Sequence, residues 1–174
     1  MNYAALGNYA IRCVSALALL CIAAGAVAAP AAVPGYVGRH RASAADREAI
    51  GQVLAAYTQS VIGRDPARFE SLLLSRDIPF SSTDAASGKT AGAVDTRRYA
   101  DFKAAVFDSG ERFQQQFYNV RIAQDGELAQ VSLDFVTTRL STGRGGYGWK
   151  VLQLLKVDGE WKIASELYTA YAIP

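Results

Sequence analysis

The chain has 174 residues, 51% of them apolar, with 18 Lys and Arg against 16 Asp and Glu and a formal charge of +2. This is the size of one globular domain with a substantial core of its own. So small a charge, spread evenly along the sequence, excludes nucleic acid and an anionic membrane surface as partners.

Residues 1–28 have the layout of a secretory signal. "MNYAALGNYAIR" carries a single cation, Arg12, and is followed by the uncharged run "CVSALALLCIAAGAVA", which ends in the small-x-small triplet Ala26-Val27-Ala28. Signal peptidase accepts that triplet, so cleavage is expected after Ala28 and the mature protein is expected in the periplasm or the medium, with no membrane attachment once the segment is removed. The run is also shorter than the ~20 residues of a spanning helix. Both cysteines, Cys13 and Cys21, fall inside it. The mature chain is therefore expected to have no disulfide, no thiolate nucleophile and no thiolate metal ligand.

Residues 29–42, "APAAVPGYVGRHRA", combine Pro, Ala and Gly with cations at the end and read as a flexible tether. The only histidine, His40, lies there, where no packed neighbour orients an imidazole for catalysis or ligation.

The folded domain is expected over residues 43–174. Ser43 caps a helix running to Ile62, with Asp46 in the capping-box position, and Ile50, Val53, Leu54, Tyr57 and Val61 recur at helical spacing. Gly63 ends it. Asp65-Pro66 opens a short second helix that buries Phe69, Leu72 and Leu73. "SRDIPFSSTDAASGKTAGA" reads as a long loop with room for a short strand near Ile78 to Ser81. Asp95 or Thr96 then caps a third helix with Tyr99, Phe102, Val106 and Phe107 on one face.

After Gly110 the period becomes two. Residues 112–123 and 128–140 are expected strands, folded on Asp125-Gly126 as a type I′ turn. That register sets Ile122 opposite Ala129, Val120 opposite Val131 and Tyr118 opposite Leu133, with Phe135 on the same apolar face. The last two strands fold on Asp158-Gly159, with Lys156 opposite Trp161, Leu154 opposite Ile163 and Leu152 opposite Ser165. Leu152, Leu154, Trp161, Ile163 and Leu167 then point inward, while Val151, Gln153, Leu155, Lys162, Ala164 and Glu166 point outward. A bulge anywhere would exchange the faces beyond it. Helices first and strands last imply an α+β domain, a curved antiparallel four-strand meander wrapped around three N-terminal helices.

"DREAIGQVLAAYTQSVIGRDPARFESLLLSRDIPF" resembles the first two helices of the nuclear transport factor 2-like (SnoaL-like) superfamily. "RFQQQFYNVRIAQDGELAQVSLDFVTTRL" and "LQLLKVDGEWKIASELYTA" resemble its terminal strands. The resemblance covers about residues 43–172 and implies a cone with a pocket at its wide end. In that superfamily the pocket is catalytic, ligand-binding or filled, so the fold leaves the activity open.

The ketosteroid isomerase branch pairs a tyrosine on the first helix with aspartates in the cone, which makes Tyr57 a candidate oxyanion donor and Asp84, displaced within the loop, a candidate base. The second aspartate of that branch has no clear equivalent. The dehydratase histidine is missing. For the Asp-Arg-Asp set of the epoxide hydrolases, Asp101, Arg121 and Asp134 supply the residue types without a spacing that makes them converge.

Tyr99, Phe102, Tyr118, Phe135 and Trp161 are the expected pocket residues, suited to a small apolar or aromatic molecule. No metal and no cofactor is expected: carboxylates alone remain as ligands, and "TGRGGYG" precedes no helix. Apolar residues on the outer sheet face, Phe117, Val151, Leu155 and Ala164, suggest a homodimer through the sheet. Three readings stay open: a small-molecule binder, an isomerase- or lyase-like enzyme using Tyr57 with Asp84, and an accessory domain that dimerises.

Overall fold

The computed structural model describes residues 32–38, 40–87 and 94–174. The expected signal segment, 1–28, lies outside the described residues, as do residues 29–31 and 39 of the expected tether. Among those described, no helix is long and apolar enough to cross a membrane. Residues 32–37 belong to a unit separate from the rest and are irregular apart from a turn in which the Val37 amide donates to the Pro34 carbonyl at 3.0 Å. The rest is the α+β domain.

Among the described residues, four helices, α1 (Ala44–Gly63), α2 (Pro66–Ser71), α3 (Thr83–Ala86) and α4 (Tyr99–Val106), precede most of the sheet. Ser43 caps α1, its hydroxyl accepting from the Asp46 amide at 3.0 Å. Ile50, Leu54, Tyr57 and Val61 form the buried stripe of α1, as the 3.6-residue period requires. Gly63 is the last helical residue, and Arg64 takes the left-handed cap with φ 57°, its amide reaching the Ser60 and Val61 carbonyls. Asp65 caps α2 by accepting from the Arg68 amide, with Pro66 at the first helical position. The one-turn α3, capped by Ser82, occupies part of the expected loop. The N-cap residue of α4 is Arg98 rather than Asp95 or Thr96.

Phe69, on α2, joins α1 and α4. Its ring centroid lies 4.6 Å from Tyr57, 5.3 Å from Phe102 and 5.3 Å from Phe107, and it stacks on Tyr99 at 5.9 Å. Edge-to-face and stacked ring pairs of this kind add about 1 kcal/mol each beyond the area they bury.

The sheet runs β1-β5-β4-β3-β2, and its strands are β1 (Phe80–Ser82), β2 (Phe113–Asp125), β3 (Leu128–Arg139), β4 (Gly145–Val157) and β5 (Glu160–Tyr168). A two-residue β6 (Tyr171–Ala172) pairs with β4 beyond the end of β5. The four-strand meander is thus β2 to β5, all antiparallel. The short strand anticipated near residues 78–81 is β1, which pairs parallel with β5.

The second hairpin is as expected at its turn. Asp158 and Gly159 both have positive φ, 51° and 83°, with Lys156 opposite Trp161 and Leu154 opposite Ile163. Further along, the register shifts: Gln153 faces Ser165 and Leu152 faces Glu166, leaving Ala164 as the extra residue of a bulge. The faces of β5 exchange there, so Glu166 turns inward and is fully buried, while Leu167, expected inside, is 42% exposed.

The first hairpin differs at both ends. Its turn is Gly126-Glu127, because Asp125 still pairs with Leu128. Gly126 alone carries the positive φ, 56°. Ile122 consequently faces Val131. That shift of two leaves the faces unchanged, but a second bulge lies between Tyr118 and Arg121, where Asn119 has φ 53°. Beyond it Phe113, Gln115 and Phe117 point inward, and Tyr118 and Val120 are solvent-exposed.

The inner face packs on the α1 stripe and on Phe69. Val131, Leu133, Leu152, Leu154 and Ile163 are essentially inaccessible to water. At about 2 kcal/mol for each large apolar side chain removed from water, this layer is the main source of stability.

Candidate functional site

Among the buried polar side chains, three join in one cluster, one from each of α1, β4 and β5. Tyr57 belongs to the α1 stripe. Lys150 belongs to the inward row Lys150, Leu152, Leu154, Lys156 of β4. Glu166 is brought inward by the Ala164 bulge and held there through its backbone, which donates to the Pro79 carbonyl at 2.7 Å.

The Tyr57 hydroxyl donates to Glu166 Oε1 at 2.9 Å and accepts from Lys150 Nζ at 2.6 Å. Lys150 Nζ also lies 2.5 Å from Glu166 Oε1, the two side chains being 2% and 0% exposed. Glu166 Oε2 is buried without a partner. The rings of Tyr57, Tyr168, Phe135 and Phe117 surround Nζ, at 4.4, 5.1, 5.2 and 5.5 Å.

Burial governs the protonation of all three groups. It lowers Lys150, opposed by the charge and hydrogen bond of Glu166. It raises Glu166, opposed first by the Lys150 charge. Burial, and next the Glu166 charge, push Tyr57 well above the ordinary phenol value, so Tyr57 stays a neutral donor. Desolvation thus draws lysine and carboxyl toward their neutral forms, while ring faces and mutual attraction favour the ion pair. A proton needs only to cross the 2.5 Å contact to pass from one form to the other.

A chamber of about 310 Å³ opens against this cluster. Its apolar wall comes from Val61, Phe102, Val106, Phe135 and Tyr168, and its polar wall from Lys150, Gln115, Thr137 and Asp101. Gln115 donates from Nε2 to Thr137 Oγ1 at 3.0 Å, and its Oε1 is buried without a partner. Burial, and next the Glu166 charge, keep the Tyr168 hydroxyl protonated. Gly148 makes one wall possible: a Cβ there would stand 1.9 Å from the Thr169 carbonyl oxygen and 3.0 Å from the Phe135 ring.

Of the expected pocket residues, Phe102 and Phe135 line this chamber. Tyr99 lies behind it, stacked on Phe69 with its hydroxyl donating to Glu70 at 3.1 Å. Tyr118 is outside, 45% exposed, because the bulge beyond it reverses the face. Trp161 is buried at the far end of the domain, where its Nε1 donates to Asp46 at 3.0 Å.

Asp84 is exposed in the first turn of α3, and the carboxylate that touches Tyr57 is Glu166. Asp101 faces the chamber, whereas Arg121 and Asp134 line a separate depression on the outer sheet face, so those three residues do not meet. Phe117, expected outside, packs 5.2 Å from Tyr57. Lys150 and Glu166 are the residues that strand alternation failed to single out. The available signal was a lysine in phase with Leu152 and Leu154. Among the described residues no group of three His, Cys, Asp or Glu side chains is placed to hold a metal ion.

Residues 42–165 match the SnoaL-like domain family. The chain belongs to that family. Solved structures share its fold at low identity. A putative scytalone dehydratase from Novosphingobium aromaticivorans is similar over 73% of this chain and 85% of its own, at 17% identity and a TM-score of 0.58. A hexachlorocyclohexane dehydrochlorinase, LinA type 2, is similar over 75% and 88%, at 15% identity and a TM-score of 0.57. A protein of unknown function with a cystatin-like fold from Nostoc punctiforme is similar over 74% and 93%, at 13% identity and a TM-score of 0.57. None of the curated proteins matches the chain. The SnoaL-like domain of this chain therefore has fold relatives named as enzymes and others of unknown function.

Proposed function

We propose that this SnoaL-like domain binds a small, flat, largely apolar molecule bearing one polar function, with Lys150 and Gln115 contacting the polar end. The observation that carries this reading is the 310 Å³ chamber, apolar on one side and lined by a buried lysine and a partnerless amide oxygen on the other. Its volume sits at the lower end of the roughly 300–1,000 Å³ of small-molecule sites, enough for one or two rings. An unpaired buried acceptor costs about 1–3 kcal/mol, which a ligand hydroxyl or amine would recover.

The test is calorimetric titration with one- and two-ring aromatic alcohols, beside mass spectrometry of any compound released from the purified protein. Ala105 lines the chamber from the exposed side of α4, so Ala105→Trp plugs the chamber without touching the core. Saturable binding that Ala105→Trp abolishes supports the proposal. Failure of every alcohol to bind, or binding indifferent to the plug, overturns it.

A second reading, proton transfer on a bound substrate, is favoured by Glu166 lying within direct hydrogen-bond reach of Tyr57. It takes over the enzyme expectation with Glu166 in the place first given to Asp84.

We also propose export through residues 1–28, tested by whether the N-terminus of protein made in bacteria begins at Ala29. Self-association through the outer sheet face is a further proposal. Its support is the exposed side chains of Tyr118, Trp149 and Leu167, at 45%, 52% and 42%. Trp149→Glu would convert a dimer to a monomer in sedimentation, and an unchanged mass would end that idea.

A further inference from the structure

We propose that Lys150 captures carbonyl compounds in the chamber as a Schiff base, making the preferred ligand a small aromatic aldehyde or ketone. This inference rests on the chamber being a small-molecule site and adds the ligand's chemical class and the bond it forms.

Three observations converge on it. Lys150 lines the chamber, and its Nζ lies 5.2 and 5.1 Å from the ring centroids of Phe135 and Tyr168, two of the chamber walls, so a flat carbonyl compound held against those rings brings its carbon to the amine. The nitrogen touches a carboxyl at 2.5 Å, so the base that uncovers its lone pair is built in. The Tyr57 hydroxyl, 2.6 Å from Nζ and 2.9 Å from Glu166, completes a closed proton path that needs no bulk water. A structural ion pair requires only the lysine and the carboxylate. It does not require an adjoining chamber, a phenol shared by both groups, or a buried carboxyl oxygen left without a partner.

The step balances. Glu166 takes one proton from the ammonium, and the neutral nitrogen adds to the carbonyl carbon. The C–N bond forms as the C=O π pair moves to oxygen, which takes a proton from Glu166 through Tyr57. Glu166 then removes the second nitrogen proton and passes it to the carbinolamine hydroxyl. That hydroxyl leaves as water while the nitrogen lone pair closes the C=N bond. The ammonium and the carbonyl become a protonated imine and water, Glu166 returns to its carboxylate form, and no oxidant or reductant is consumed.

The experiment incubates the purified full chain with benzaldehyde or 2-naphthaldehyde and sodium cyanoborohydride, which reduces an imine to a stable secondary amine. Intact mass and peptide mapping then locate the adduct. Benzyl alcohol or 2-naphthalenemethanol, which carry no carbonyl, measure non-covalent occupancy by calorimetry in parallel. The expected result is one adduct, on Lys150, formed about tenfold faster than on any other amine of the chain, slowed by the matching alcohol and lost in Ala105→Trp. Tyr57→Phe slows trapping at Lys150 while alcohol binding persists, which separates the proton path from simple occupancy. If the alcohols bind and the plug blocks them but Lys150 stays unmodified, the Schiff-base proposal is overturned and the chamber reading stands. If neither alcohol binds and no adduct forms at Lys150, both are overturned. Mapping on the unsubstituted chain keeps the test independent of whether a Lys150 variant folds.

Discussion

The row Lys150, Leu152, Leu154, Lys156 on β4 ends in two lysine–carboxylate clusters of opposite character. At one end Lys150 and Glu166 are sealed among rings, with Tyr57 bridging them. At the other, Asp46 on the first turn of α1 accepts from Lys156 at 2.7 Å, Trp161 at 3.0 Å, Gln124 at 2.9 Å and the Ser43 hydroxyl at 2.9 Å. The Asp46 cluster clips the α1 start to both hairpins where water still reaches the lysine, 33% exposed. Every donor there has a structural use. Each cluster leaves one buried oxygen without a partner, Glu166 Oε2 inside and Gln124 Oε1 at the rim, but only the sealed cluster removes two ionisable groups from water and borders a chamber. The same residue pair thus staples a fold at the rim, whereas in the interior the desolvation of both charges is expected to cost stability. That cost is the reason to read the interior cluster as functional.

The comparison breaks most sharply on substitution of the sealed pair. Glu166→Leu alone strands a buried lysine and is expected to cost about 3–5 kcal/mol in urea unfolding. The double variant Lys150→Met/Glu166→Leu is expected to regain most of that loss, because a well-packed apolar pair suits this interior. A double variant as unstable as the single would mean that the ion pair holds the fold after all.

Gly148→Ala comes next. The added methyl has no room beside the Thr169 carbonyl, and a loss of about 1–3 kcal/mol is expected. Hydrogen exchange should rise where Thr169 donates to the Trp149 carbonyl and stay unchanged around Lys156 and Trp161. Uniform exchange across both ends would deny that the two clusters are separate.

Tyr57→Phe removes one hydroxyl and leaves Lys150 and Glu166 paired, so about 1 kcal/mol is expected in the same unfolding assay.

Asp46→Asn probes the rim. Hydrogen bonds from Lys156 first, then from Gln124, Ser43 and Trp161, hold the Asp46 carboxyl far below its ordinary value of 3.8. A depressed carboxyl contributes stability that is present above the unfolded-state value and lost as pH falls beneath it toward the folded one. Thermal melts of the parent protein should therefore drop below about pH 4, the unfolded aspartate range. The variant should start lower at neutral pH and fall less steeply in acid. Parallel acid limbs would show that the rim clip is idle. Asp84→Ala, in an exposed helical turn, is expected to change neither melting nor ligand binding.

Much of this was legible in the residues. The α1 stripe and the caps at Ser43 and Asp65 are local matters: helical period and side-chain capping act within a few positions. The inner face of β3 and the Asp158-Gly159 turn follow equally from strand alternation and from the positive φ that a tight turn demands. Phe102, read from the sequence as part of the apolar face of α4, lines the chamber, whereas nothing in the spacing had pointed Asp101 there.

What the residues did not disclose is the partner of Tyr57. Glu166 sits inside only because Ala164 bulges, as Tyr118 sits outside only because the chain bulges at Asn119 and Val120. A bulge is the compromise between two strands whose turns, neighbours and buried faces demand different registers. That demand comes from residues dozens of positions away. Composition and period thus determined the class of fold, the layer of helices and the order of strands. Tertiary pairing alone decided which side chains of β2 and β5 face the chamber, because one extra residue in a strand exchanges every face beyond it.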